Sequence, residues 1–301
     1  MFAVHTRGVG CCLCREGSSA EGRSPGDAPV RKLARVNCSL TGRSASGRIV
    51  RKTWVVIMSY RLATLGLSDM TRLGTALRGL GAGATSMEQV AERVVGLLYN
   101  DLTETSNDAP ACVLVRFYTT VPYENLDAGL REFGAKLMAD QQLQPTTRCL
   151  TLLATRGERP AWNSRATSMG HRTIPLPSPQ VVATIPMVSQ LIAQLGLDVG
   201  AVVKPDPTLV LEAEQHSYGV FYVPKAEGSP YIPAQEEFVL PYHVHSVLGF
   251  GGLLPGGDVF AVLMFCRVAV SRATADMFRN AAMNLKLALL PFDGLRTFRS
   301  T

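Results

Sequence analysis

The sequence predicts an α+β fold in which helices flank an antiparallel sheet, with a long insertion of loops and helices. Three observations predict it. Short apolar segments alternate with amphipathic helical segments along residues 58–301. Two apolar segments, 246–254 and 259–270, flank a Pro-Gly-Gly-Asp turn, and a segment of helical periodicity follows at 271–290. A hairpin with helices before and after it favours antiparallel strands, with the helices on one face.

The composition excludes several classes of protein. The 301 residues are 47% hydrophobic and 18% charged, which excludes a mainly disordered chain or a coiled coil. No apolar run approaches the ~20 residues that a transmembrane helix needs. The formal net charge of +6 arises from residues 1–57. Because residues 58–301 carry no excess of basic side chains, we expect neither a nucleic-acid partner nor a membrane partner.

Residues 1–57 differ from the remainder of the chain. They are basic and rich in Gly, Ser and Arg, without a sustained period, which predicts a disordered tail. We hypothesise that translation starts at Met58, which the intact mass of protein from its native host would test. Cys11 and Cys14 have C-x-x-C spacing but no second pair, so no zinc site is predicted. The predicted domain is residues 58–292, followed by a short tail at 293–301.

The predicted elements follow in order along that domain. Helices are expected along Leu73–Leu80, from Ser86 to Asp101, and along Leu126–Leu137, and strands at 111–119 and 148–155. Residues 156–178 show no convincing regular element, and a loop of that length is often functional. Beyond it we expect a helix capped by Ser178 and interrupted at Pro186, a short helix at 203–215 and a strand at 218–224.

The order of elements, and above all residues 246–290, resembles a GAF domain. More narrowly, 58–292 resembles a GAF-like region found in front of PAS and histidine-kinase modules of bacterial signalling proteins, through segments 160–178, 228–242 and 249–258. The resemblance implies a cytoplasmic, non-catalytic sensory or regulatory module of a two-component system. It also implies a homodimer, and a small-molecule ligand or a partner such as a histidine kinase. The insertion at 156–216 departs from a standard GAF domain.

The two long loops are the predicted ligand site, because aromatic and cationic groups concentrate there. Arginine side chains would suit a carboxylate or a phosphate. The alternative is that Trp162 pins its loop to the core and that the charges are solvated. The predicted ligand-binding residues are Trp162, Asn163, Arg165, His171, Arg172, Tyr231, Gln235 and Glu236. No particular cofactor, no catalytic residue and no metal ligand is predicted.

The cysteines and histidines of the domain could carry chemistry, but each group also has a simpler interpretation. Cys112, Cys149 and Cys266 lie in apolar segments, which favours buried thiols in a reducing compartment. A redox enzyme that uses these cysteines is the first alternative function, since methionine-sulfoxide reductases are the enzymes among GAF-like folds. A ligand-free interaction scaffold is the second. His243 and His245 would share one face of a strand and could bind a metal with Glu236 or Glu237, but surface histidines explain the pattern as well.

Overall fold

The computed structural model describes residues 59–104, 109–138, 142–168, 170–205 and 218–299. The predicted tail at 1–57, the hypothesised start at Met58 and most of the helix predicted at 203–215 lie outside the described residues. Within them, no helix is long and apolar enough to cross a membrane.

A six-stranded sheet, antiparallel at every pairing, organises the protein. Its strands are β3 (Cys112–Pro122), β4 (Arg148–Gly157), β5 (Thr173–Pro175), β6 (Gly219–Val223), β7 (Ser246–Leu253) and β8 (Val259–Cys266), arranged in the order β5-β4-β3-β8-β7-β6. Two short strands, β1 (Tyr60–Arg61) and β2 (Leu102–Thr103), form a separate parallel pair. The predicted antiparallel α+β class is confirmed, and the architecture is compatible with a GAF-like fold.

The predicted hairpin of β7 and β8 lies in the interior of the sheet, between β3 and β6. Every residue of β7 and β8 is buried, because the sheet is covered on both faces. The strands pair from Ser246–Cys266 to Leu253–Val259. Gly257 lies in the turn with a φ of +83°, a backbone conformation that glycine adopts without steric cost.

Helices cover both faces of the sheet, whereas the sequence predicted them on one. The helices are α1 (Leu67–Gly79), α2 (Met87–Asp101), α3 (Ala128–Leu137), α4 (Pro179–Ala183), α5 (Pro186–Gln194), α6 (Val199–Val203) and α7 (Arg272–Leu289). Helices α1, α2 and α7 pack on one face through a core that includes Leu73, Val94 and Phe278. We call this the helical face. The short helices α4–α6 of the insertion pack on the opposite face, so the insertion supplies the second layer.

The long final helix begins at a serine cap. The Ser271 hydroxyl accepts a hydrogen bond from the backbone N–H of Thr274 at 3.0 Å. We expect Ser271→Ala to lower the free energy of unfolding by about 1 kcal/mol, because it leaves this N–H without its intramolecular acceptor. Urea unfolding measures the change, with Ser189→Ala inside α5 as the control. Equal effects of the two substitutions would contradict the capping role.

Candidate functional site

A cavity of about 100 Å³ lies on the sheet face opposite α1, α2 and α7. Its floor is built by alternate side chains of β3, namely Leu114, Arg116 and Tyr118, because residues i, i+2 and i+4 of a strand point to one face. Leu263 and Phe265 of the neighbouring strand β8 continue the floor. We call this cavity the site pocket.

The cover of the site pocket comes from the insertion and from the loop before β7. Met187 and Leu191 of α5 lie over the floor, and Ile232 and Phe238 close another side. Phe238 belongs to a single turn of π-helix, Gln235–Val239, a rare element that is frequent at functional sites. The walls are therefore almost wholly apolar, which is typical of pockets for small organic molecules.

Arg116 is the charged group of this pocket. It is only 3% exposed, although it lies in the middle of a strand. Its Nη1 atom donates to the Tyr118 hydroxyl at 3.2 Å and to the Gly170 carbonyl at 3.3 Å, and its Nη2 donates to Ser168 Oγ at 3.1 Å. Among the described residues, its Nε has no hydrogen-bond partner and no carboxylate forms an ion pair with it.

The hydrogen bonds of Arg116 to described residues do not use all of its N–H groups. A guanidinium has five N–H donors, of which three are used here. The Nε–H is left, and Nη2, which carries one further N–H, lies on the same edge of the planar group. That edge matches the two oxygens of a carboxylate. Burying an unpaired charge is costly, so an anion in the pocket would relieve an unfavourable interaction.

His171 lines the same pocket and is held neutral. Burial and, to a smaller extent, the nearby positive charge of Arg116 together lower the pKa of its imidazole to about 4. The residue has a φ of +52°, a left-handed conformation that is uncommon for residues other than glycine. A neutral imidazole can donate one hydrogen bond and accept another at the pocket wall.

His171 is the one sequence-predicted ligand residue among those that line the site pocket. Trp162 instead packs edge-on against Phe238 and Tyr242, with ring centroids 5.6 and 4.8 Å away, and is 5% exposed. The side chain of Asn163 accepts from the Gly157 N–H at 3.0 Å and donates to the Arg159 carbonyl at 3.2 Å. These contacts hold the loop to the sheet.

The predicted arginines contact other parts of the protein. Arg165 pairs with Glu88 of α2 at 2.5 Å, and its guanidinium lies 5.1 Å from the centre of the Phe298 ring. The Arg172 guanidinium lies 5.9 Å from the centre of the Phe133 ring in α3. Arg165 therefore fastens its loop to α2, whereas the buried Nε of Arg172 has no hydrogen-bond partner among the described residues.

The second predicted loop is ordered by its own hydrogen bonds. Gln235 accepts from the Gly228 N–H at 2.8 Å and donates to the carbonyls of Ala226 and Ile232. Tyr231 is 36% exposed and Glu236 is exposed. None of these three predicted side chains belongs to the pocket lining.

Sequence reasoning missed Arg116 and Tyr118. The signal was present, since Arg116 is the only charged residue in the apolar run ACVLVRFYT. A charged side chain in a strand that is buried on both faces requires a partner or a ligand.

The three described thiols lie away from the site pocket. Cys112 and Cys266 belong to the core of the helical face, are fully buried, and place their sulfur atoms 3.9 Å apart. Their mutual hydrogen bond and burial raise the pKa of the Cys266 thiol well above its usual value. Cys149 lies in a separate small core cluster, and burial raises the pKa of its thiol to about 12. All three are free cysteines.

The histidine pair does not lie on a strand. His243 is in a turn with a φ of +54°, His245 precedes β7, and both are exposed. Among the described residues, no three His, Cys, Asp or Glu side chains lie together in a way that could hold a metal ion.

Comparison with known proteins finds structural similarity to an enzyme. No known protein family matches the sequence, and no curated protein matches it. The structure is similar to that of free methionine-R-sulfoxide reductase from Neisseria meningitidis in complex with its substrate, with 12% sequence identity and a TM-score of 0.40. The similarity covers 75% of this chain and 91% of that one. It assigns neither a substrate nor a catalytic residue to this chain.

The relative corrects the predicted function. It is an enzyme, which contradicts the prediction of a non-catalytic sensory module of bacterial two-component signalling. Of the alternatives drawn from the sequence, the redox enzyme agrees better with this finding.

Proposed function

We propose that this protein binds a small organic acid in the site pocket, with the carboxylate on Arg116 and an apolar body among the side chains of the sheet and α5. The observation that carries the proposal is the buried guanidinium of Arg116, which has no carboxylate partner among the described residues and lies in an otherwise apolar cavity. A buried charge with a free Nε–H beside Nη2 is suited to a carboxylate.

The size of the cavity restricts the ligand. An engineered cavity of about 150 Å³ in another protein holds benzene, so the cavity here suits an acid with a body of roughly four or five carbon atoms. The apolar walls select against a second charge on the ligand. The neutral imidazole of His171 and the Tyr118 hydroxyl are the polar groups beside the carboxylate. The proposed class is therefore a short-chain, branched monocarboxylate.

We expect Arg116→Met to weaken binding of such an acid by about tenfold to a hundredfold, because charge-assisted hydrogen bonds contribute about 1.5–3 kcal/mol. Calorimetric titration of the full chain with short branched carboxylates measures the change. The matched control is Arg156→Met, which alters an exposed arginine on the adjacent strand β4.

The amide of the same acid tests the proposal without a mutation. The wild-type protein should bind the acid at least tenfold more tightly than the amide, since only the acid neutralises Arg116. Equal affinities for the acid and the amide would contradict the proposal. So would equal effects of the Arg116 and Arg156 substitutions in variants that unfold at the same temperature as the wild type.

A second candidate function is thiol redox chemistry, the alternative predicted from the sequence. The observation that favours it is the 3.9 Å approach of the Cys112 and Cys266 sulfur atoms. These thiols lie on the helical face, so their chemistry would be separate from binding in the site pocket. Native-state thiol labelling tests whether any of the three cysteines reacts before the protein unfolds.

The free thiols support the predicted location, whereas nothing tests the predicted assembly. Free thiols at the three described cysteines agree with a reducing, cytoplasmic compartment. A homodimer and a histidine-kinase partner are untested and stay predictions.

A further inference from the structure

We propose that Cys112 and Cys266 are a redox modification site that a hydroperoxide converts into a reversible intramolecular disulfide. This inference rests on the second candidate function and adds its reaction and its reactant.

The sheet places the two cysteines face to face. Cys112 is the first residue of β3, Cys266 is the last residue of β8, and the register pairs them directly. The N–H of Arg267 donates to the carbonyl of Ala111 at 2.9 Å, on one side of the pair. That bond marks a position where the two cysteines do not exchange backbone hydrogen bonds, and such pairs have Cα atoms only about 4.5 Å apart.

This geometry meets the requirement for a disulfide. Bridged cysteines have Cα atoms about 4.4–6.8 Å apart. The sulfur atoms at 3.9 Å must approach by about 2 Å to bond, which rotation of the two side chains can supply without a new backbone arrangement. Cys149 lies in a different core cluster, so it is not an alternative partner in the folded protein.

An oxidant can reach the two thiols because they lie at the ends of their strands. Both thiols are fully buried, but strand ends open locally at lower cost than strand centres. The register of β3 also shifts between Cys112 and Leu114, which interrupts the regular ladder beside the pair. The neighbouring Tyr99 side chain is only partly buried, and the Arg267–Glu158 ion pair is partly exposed. Partly exposed groups therefore lie beside the pair, and local opening of the strand ends would admit a small oxidant.

The reaction balances with one hydroperoxide. A thiolate attacks the peroxide, the O–O bond breaks, and a sulfenic acid and one molecule of water or alcohol form. The second thiol then attacks the sulfenic sulfur, the S–S bond forms, the S–O bond breaks and water leaves. Two electrons pass from the dithiol to the peroxide, and a reducing dithiol reverses the step. Because both thiols are buried in apolar surroundings, we expect oxidation to be slow and faster at higher pH.

The test treats the full chain with hydrogen peroxide under native conditions. Remaining thiols are blocked, and peptides are mapped by mass spectrometry without reduction. We expect a cross-link between the peptides that contain Cys112 and Cys266, and its loss after treatment with dithiothreitol. Cys149→Ser should retain the cross-link, whereas Cys112→Ser and Cys266→Ser should each abolish it.

An unfolded control separates native geometry from chance pairing. In denaturant, loop closure favours partners closer in sequence, so Cys112 should pair more with Cys149 than with Cys266. Oxidation of Cys149 alone, or of Cys112 and Cys266 without a cross-link, would overturn the disulfide but leave the thiol redox candidate standing. No oxidation of any of the three cysteines in the folded protein would overturn both.

Discussion

Trp162→Ala should lower the free energy of unfolding by about 3–5 kcal/mol, as expected for truncation of a buried aromatic side chain. The indole packs against Phe238 and Tyr242, and Phe238 in turn contacts Phe265 with ring centroids 5.1 Å apart. Removing it leaves a void beside the π-helical turn that closes the site pocket. Guanidinium unfolding measures the loss, which is a large part of the ~5–15 kcal/mol by which a domain is stable.

The matched control for Trp162 is Tyr231→Ala. Tyr231 is an exposed aromatic residue of the second predicted loop, and its truncation should change stability by less than about 0.5 kcal/mol. A Trp162→Ala protein of unchanged stability that had lost affinity for the acid would contradict the packing role. That result would restore Trp162 as the ligand contact that the sequence predicted.

His171→Asn should remove a pH dependence of stability between about pH 4 and pH 6.5. The folded pKa of about 4 lies below the ordinary value of 6.5, so in this range the unfolded chain binds a proton that the folded protein does not. The contribution of His171 to the free energy of unfolding is therefore fully present above pH 6.5 and declines as the pH falls towards 4. The loss reaches up to about 3 kcal/mol, from about 1.4 kcal/mol for each unit of pKa difference.

The design of this test uses a second histidine with the same backbone conformation. Asparagine tolerates positive φ, so the substitution at His171 is compatible with its φ of +52°. His243→Asn makes the same change at an exposed residue with a φ of +54°, and should leave the wild-type pH profile intact.

Asp258 makes the free energy of unfolding depend on pH in the same range, but with the opposite sign. Burial raises the pKa of its carboxyl to about 6, although the ion pair with Arg148 and the hydrogen bond from Thr120 lower it. Its contribution to stability therefore falls as the pH rises from about 4 to 6. Because both proteins contain Asp258, the difference between the pH profiles of the wild type and His171→Asn reports the contribution of His171 alone. Identical pH profiles for these two proteins would contradict the lowered pKa of His171.

The fold was predictable from local patterns because apolar periodicity and turn residues specify most of its elements. The hairpin of β7 and β8 and the long helix α7 have their signals within short stretches of sequence. Strand β3 is three residues longer at its C-terminal end than predicted, since Val121 still pairs with Cys149 of β4. Strand β5 has only three residues, too few to show a period, so it was hidden inside the predicted loop.

The site was less predictable because tertiary contacts assign its roles. Trp162 resembles a ligand residue until Phe238 and Tyr242, remote in sequence, are placed against it. Arg165 likewise pairs with Glu88 of a helix far earlier in the chain. Arg116 differs from these residues, because a charge within an apolar strand is a local signal, although it was not recognised from the sequence.

The most direct test of the site pocket is nuclear magnetic resonance of the arginine Nε–H groups of the full chain. Arg116→Lys assigns the Arg116 signal, and a short branched carboxylate and its amide are titrated separately. The account predicts that the acid shifts the Arg116 Nε–H signal and slows its exchange with solvent, because this group gains an acceptor, and that the amide does so only at much higher concentration. Binding of the acid with no change at Arg116, or no binding at all, would contradict the account.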